Sequence, residues 1–103
     1  MTQLPGYQKK FLRGAAHGLR PVVLIGHKGL TEAALEAISE ALRAHELIKV
    51  KFNEFKDKAG KRAILGQMEE RLACHVAGMI GHTAVIFRPH PDPEKRRVRL
   101  PTR

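Results

Sequence analysis

Gly26-His27-Lys28-Gly29 is the stretch of this chain whose residue types and spacing could do chemistry. Neither glycine carries a Cβ, so the backbone between them can approach a ligand closely. A lysine sits inside the loop. A short apolar run ends at Ile25, and a helical pattern opens at Thr31. A helix starting there points its unpaired N–H groups back at the loop and favours an anion. The chemistry is holding of negative charge rather than bond making. The plain alternative is a simple strand-to-helix turn. A nucleotide-binding P-loop is not expected, because Gly-Lys followed by Ser or Thr is absent and the loop is too short.

The charge of the whole chain points the same way. Lys and Arg number 19 against 10 Asp and Glu in 103 residues, for a net charge of +9. Such a balance argues for a polyanionic partner, though not for any fold. KH modules clamp a nucleotide backbone with a Gly-x-x-Gly loop, so nucleic acid is the first candidate. On a helical wheel of roughly 100° per residue, Lys9, Lys10, Arg13, His17 and Arg20 share one sector opposite Leu4, Phe11, Leu12, Ala15 and Leu19. Every formal charge between Met1 and Glu32 is positive, where a solvated helix face usually mixes signs. Lys49, Lys51 and Arg88 extend the candidate contacts onto a sheet face. Glu32, Glu36 and Glu40 would repel phosphate, so the second helix is expected to face away from it. Lys95, Arg96, Arg97 and Arg99 read equally well as a nucleic-acid-binding arm or as a soluble tail.

Other chemistries find little support. The histidines at 17, 27, 45, 75, 82 and 90 show no close pair at helical spacing, and Cys74 stands alone. No structural metal site is expected, and a single cysteine allows no internal disulfide. No paired carboxylates or nucleophile motif suggest catalysis, and no cofactor or small-molecule substrate is expected. No apolar run is long enough to span a bilayer, so no membrane partner is expected. No secretory h-region follows the N-terminus. The expectation is a cytoplasmic, monomeric protein.

The elements that must position the loop follow from hydrophobic period. Leu4 to Leu19 reads as an amphipathic helix, weakened by Gly14 and Gly18. Pro21 opens a buried strand, Val22 to Ile25. Thr31 caps a helix carrying Leu35, Ile38 and Leu42. Leu47 to Phe52 alternates, with Ile48, Val50 and Phe52 opposite Lys49 and Lys51. Asn53 to Lys61 reads as a polar, basic connection. A third helix runs from about Lys61 to His75. Val76–Ile80 and Ala84–Arg88 form a hairpin around Gly81-His82-Thr83. The order α-β-α-β-α-β-β implies a two-layer α/β domain, with a four-stranded mixed sheet and helices mainly on one face. Residues 1–89 form this domain; residues 90–103 form a basic, flexible tail.

Several of these segments together resemble the CRM domain family, in its small stand-alone bacterial YhbY form. The resemblance covers about residues 2 to 89. It is carried by Gln8-Lys9-Lys10-Phe11-Leu12-Arg13-Gly14, Ala16-His17, Leu19, Pro21-Val22-Val23 and Ile25 to Thr31. Glu46 to Lys51, Ile80-Gly81 and Phe87-Arg88-Pro89 continue it. His27 stands in the glycine loop where family members often carry Lys or another polar residue, and His82 in the hairpin where Arg or Lys is common. The resemblance implies a fold similar to the C-terminal domain of translation initiation factor three. It also implies RNA binding and association with precursors of the large ribosomal subunit. A different reading makes the acidic face of the second helix a dock for a basic protein, with RNA binding incidental.

Overall fold

The computed structural model describes residues 3–53 and 57–102. The elements are α1 (Gly6–Ala15), β1 (Pro21–Ile25), α2 (Glu32–His45), β2 (Leu47–Phe52), α3 (Lys58–Leu72), β3 (His75–Ile80) and β4 (Thr83–Phe87). A 3-10 turn, Pro93–Lys95, follows. The four strands form one mixed sheet in the order β1-β2-β4-β3. β1 runs parallel to β2, and the other two pairs are antiparallel. This is the expected element order and sheet type. Among the described residues, no helix is long and apolar enough to cross a membrane.

The alternation in β2 decides which helix lies where. Ile48, Val50 and Phe52 point into a core shared with Ile38 and Leu42 of α2 and Leu65 and Met68 of α3. Leu47 points the other way, into a second cluster with Leu12 of α1, Ala16 just beyond it, Ala77, Val85 and Phe87. α2 and α3 therefore cover one face. α1 crosses the other, over β3 and β4, because its apolar stripe needs an apolar partner. Only the β1–β2 half of that second face stays open, which leaves Val22 and Leu24 of β1 exposed at 48% and 58%.

Four boundaries differ from the sequence reading. α1 stops at Ala15 rather than Leu19; the chain then tightens, with the His17 N–H donating to the Gly14 carbonyl and Leu19 to Ala16. α3 begins at Lys58, since the Asp57 carboxylate accepts the Gly60 N–H at 2.7 Å and caps the helix three residues early. It ends before Ala73, which takes φ 50°. Residues 54–56 of the expected connection lie outside the described residues. The hairpin turn is Gly81-His82, because Ile80 and Thr83 already pair; Gly81 supplies φ 62° at the first turn position.

The segment after Pro89, read from sequence as a flexible tail, is placed against the domain. Val98 and Leu100 pack on the α1-side cluster, and the Gln8 side-chain amide donates to the Pro101 carbonyl at 3.0 Å. The periodicity that would signal an element is missing because the segment docks through two apolar side chains and its backbone.

Candidate nucleic-acid interface

β1 ends at Ile25, and the Gly29 N–H closes back on the Gly26 carbonyl at 3.0 Å, leaving His27 and Lys28 exposed at the tip. Gly29 takes φ 72°, a conformation that favours glycine. Gly26 has no such need, and a Cβ there would meet no atom within 4 Å. Its missing side chain leaves space outside the fold. Thr31 caps α2, its hydroxyl accepting the Ala34 N–H at 3.1 Å. Other N–H groups of the first turn have no partner within the helix. Glu32, the acid nearest the loop on α2, is joined to Arg71 at 3.1 Å. Both side chains are well exposed, so the pair adds little stability. It does offset a negative charge close to the loop.

α3 lies beside this loop, with Ile64 Cδ1 3.9 Å from where a Gly29 Cβ would stand. Its first turns carry Lys58, Lys61 and Arg62 and no acid. Cations there oppose the helix dipole, which favours an anion at an N-terminus. These three residues and Lys9 of α1 line an open groove of about 690 Å³ floored by Leu65, Val76 and Met79. Glu69 is the acid among its lining residues, and its carboxylate accepts the Val76 N–H at 3.4 Å. Lys61 Nζ sits 2.7 Å from His82 Nδ1 of the hairpin turn, tying α3 to that end of the sheet.

The sequence-derived candidates divide by place. Gly26, His27, Lys28 and Gly29 form the loop, and Lys9 lines the neighbouring groove. Lys51 is exposed opposite Leu24, near the same end of the sheet. Lys10 is exposed beside Tyr7 and Phe11 on another side of α1, and Arg20 lies beside Leu19 and Val22 ahead of β1. Arg13, Lys49 and Arg88 hold carbonyls of the fold. Arg13 Nη1 donates to Ala77 at 2.7 Å. Lys49 Nζ donates to His17 and Leu19 at 3.2 and 3.0 Å, closing the end of α1. The Arg88 guanidinium donates to Leu72 and Ser39 at 3.0 and 2.9 Å, pinning α3 to α2.

Lys58, Lys61 and Arg62 were not singled out from sequence, because they fell in what read as a connection and the start of a helix. Asp57 followed by three cations within five residues was the available signal. Among the described residues, no three His, Cys, Asp or Glu side chains gather as metal ligands. Burial and the nearby Glu69 push the Cys74 thiol up to about 11, which leaves it protonated and a poor nucleophile.

The CRS1 / YhbY (CRM) domain matches residues 4–88. The chain belongs to the CRM family. This CRM protein is 42% identical over 101 residues to a protein of Haemophilus influenzae named "RNA-binding protein", covering 98% of each chain. It is 32% identical to a "probable RNA-binding protein" of Bacillus subtilis, covering 95% of this chain and 99% of that one. A solution structure from Staphylococcus aureus, presented as a candidate RNA binder, superposes with a TM-score of 0.77 at 31% identity. That match covers 96% of this chain and 100% of the other. The CRM match stops short of the docked C-terminal segment.

Proposed function

We propose that this CRM protein binds RNA without catalysing a reaction on it, and that it associates with precursors of the large ribosomal subunit. The observation that carries the reading is that α3, whose first turns carry Lys58, Lys61 and Arg62, approaches the glycine loop through Ile64. The loop offers backbone N–H groups, space beside Gly26 and Lys28. The groove continues the positive surface over Lys61, Arg62 and Lys9. The relatives' names as RNA-binding proteins support the partner class. The recognition is by charge and shape. Among the described residues, the exposed large aromatic is Phe11, at 40%, and it lies on another side of α1, so base stacking contributes little. Structured RNA fits better than a single strand.

Roughly 4 to 8 phosphate contacts would make the affinity fall steeply with salt. The test is sedimentation of cell extract through a sucrose gradient at low and high salt, with wild type beside Lys28→Ala. Wild type travelling with large-subunit precursors at low salt, and the variant staying at the top, supports the reading. Wild type absent from every ribosomal fraction removes the assembly role. Charge reversal at Glu36 and Glu40 separates this reading from a protein adaptor. It leaves RNA affinity equal or higher here, and abolishes function if that acidic face is the dock.

A further inference from the structure

Glu46 organises the C-terminal segment. Its residue is 3% exposed and takes φ 65°, a left-handed conformation that is strained for a side chain with a Cβ. In that position Oε1 accepts the Arg97 and Val98 N–H groups at 2.6 and 3.0 Å, and Oε2 accepts the His90 N–H at 2.7 Å. Val98 and Leu100 then seat inward on the α1-side cluster. The segment is held by backbone N–H groups and two apolar side chains. Its cations are left over. Lys95, Arg96 and Arg97, with Arg43 of α2, line a hollow of about 480 Å³ in which Glu94 is the exposed acid. Arg96 Nε donates to the His90 carbonyl at 2.8 Å. Among the described residues, Lys95, Arg97 and Arg43 make no side-chain hydrogen bond, and all three are exposed.

This hollow lies where β2 begins and β4 ends. The Gly26–Gly29 loop lies at the other end, where β1 and β2 finish. At 3.3 Å per residue, the length of β2 separates them by about 20 Å. We propose that the docked segment is a second phosphate-binding surface, which holds RNA backbone at the end of the sheet remote from the glycine loop. The proposal rests on the RNA reading above. RNA is favoured over an acidic protein because Val98 and Leu100 both face inward. The outer surface then offers charge without the buried apolar anchors that protein interfaces use. A phosphate backbone asks only for placed charge.

The experiment is filter binding of deproteinised large-subunit ribosomal RNA to the full chain across a salt series. Wild type is compared with Arg43→Gln/Lys95→Gln/Arg97→Gln, Glu46→Gln and Lys28→Ala. The triple variant should lower the slope of log affinity against log salt by about two to three. Glu46→Gln should weaken binding severalfold although it removes a negative charge, because the segment loses its clasp. Binding by Glu46→Gln that equals or exceeds wild type would show loose charge rather than a built surface, and overturns the proposal. A triple variant with unchanged slope, while Lys28→Ala lowers it, places the segment off the RNA and also overturns it. Polyglutamate that binds wild type but not such a triple variant would assign the hollow to an acidic protein. Wild type showing no salt-dependent RNA binding removes the RNA reading itself, and this is seen before any variant is compared.

Discussion

Arg13 of α1 lies across Gly78 of β3: a Cβ built on Gly78 would stand 2.8 Å from Arg13 Cδ and 3.2 Å from Nη1. The same guanidinium donates to the Ala77 carbonyl. A residue read as part of a basic outer stripe is the tie between the helix and the edge strand. The strand accommodates it with a register shift between Val76 and Gly78 and φ 150° at the glycine.

Gly78→Ala should therefore destabilise the fold by about 1–3 kcal/mol, from the collision with Arg13 and from a φ that L side chains rarely adopt. Thermal unfolding measures it. Combining it with Arg13→Ala should recover the steric part and leave the backbone part. A single variant as stable as wild type would sink this account.

Arg13→Ala and Arg88→Ala should lower stability more than they lower RNA affinity. Each removes charge-assisted bonds to backbone carbonyls, worth about 1.5–3 kcal/mol. Denaturant midpoints and salt-dependent RNA binding, measured on the same samples, separate the two effects. An RNA slope reduced by one with an unchanged midpoint would return these arginines to the interface.

Lys28→Ala and Lys61→Ala/Arg62→Ala should do the reverse. The salt slope falls by about one for Lys28 and by about two for the pair, while the thermal midpoint moves little because these side chains lie outside the core. A groove variant with wild-type affinity at every salt concentration would confine the RNA to the loop.

Acid should loosen the C-terminal segment. Burial works to raise the Glu46 carboxyl, but the His90, Arg97 and Val98 N–H groups and the His90 charge together outweigh it and hold it below its ordinary 4.5. The unfolded chain then takes up that proton first. The Glu46 contribution is complete above the unfolded value and is lost as pH falls through the folded one. Burial, with Lys9 nearby, lowers His75 below its ordinary 6.5, against an opposing pull from Glu69. Its contribution has the same sign, complete above 6.5 and declining below. Urea midpoints followed from about pH 7 to about pH 4 should fall, and Glu46→Gln should flatten the lower part of that fall. An identical pH profile in the variant would remove Glu46 from the explanation.

Cys74 should react with a thiol reagent only on unfolding. It is fully buried, its thiol is held near 11, and its Sγ–H donates to the Met68 carbonyl at 3.5 Å. Stopped-flow labelling with and without denaturant reads this directly; prompt labelling of the native protein would contradict it.

The element order, the sheet type and the glycine loop were legible in the sequence because each rests on local chemistry. Alternation fixed both faces of β2, Thr31 marked the start of α2, and Gly26 to Gly29 lay between two strong patterns. The start of α3 was less legible, since Asp57 caps a helix whose first two turns contain a glycine and three cations. Only the tertiary structure decided which cations are free. Lys49, Arg13 and Arg88 look like any surface cation in one dimension, yet each reaches a carbonyl left over at a helix end or strand edge. Lys58, Lys61, Arg62 and Lys9 come from different helices and become one groove only when α1 and α3 both pack against β3. Glu46 shows the difference most clearly. The sequence determined that a carboxylate stands between α2 and β2; the fold decided that it faces N–H donors from residues more than forty positions away. Charge type and local period belong to the chain. The partner of each charge depends on long-range packing, which short-range patterns do not encode.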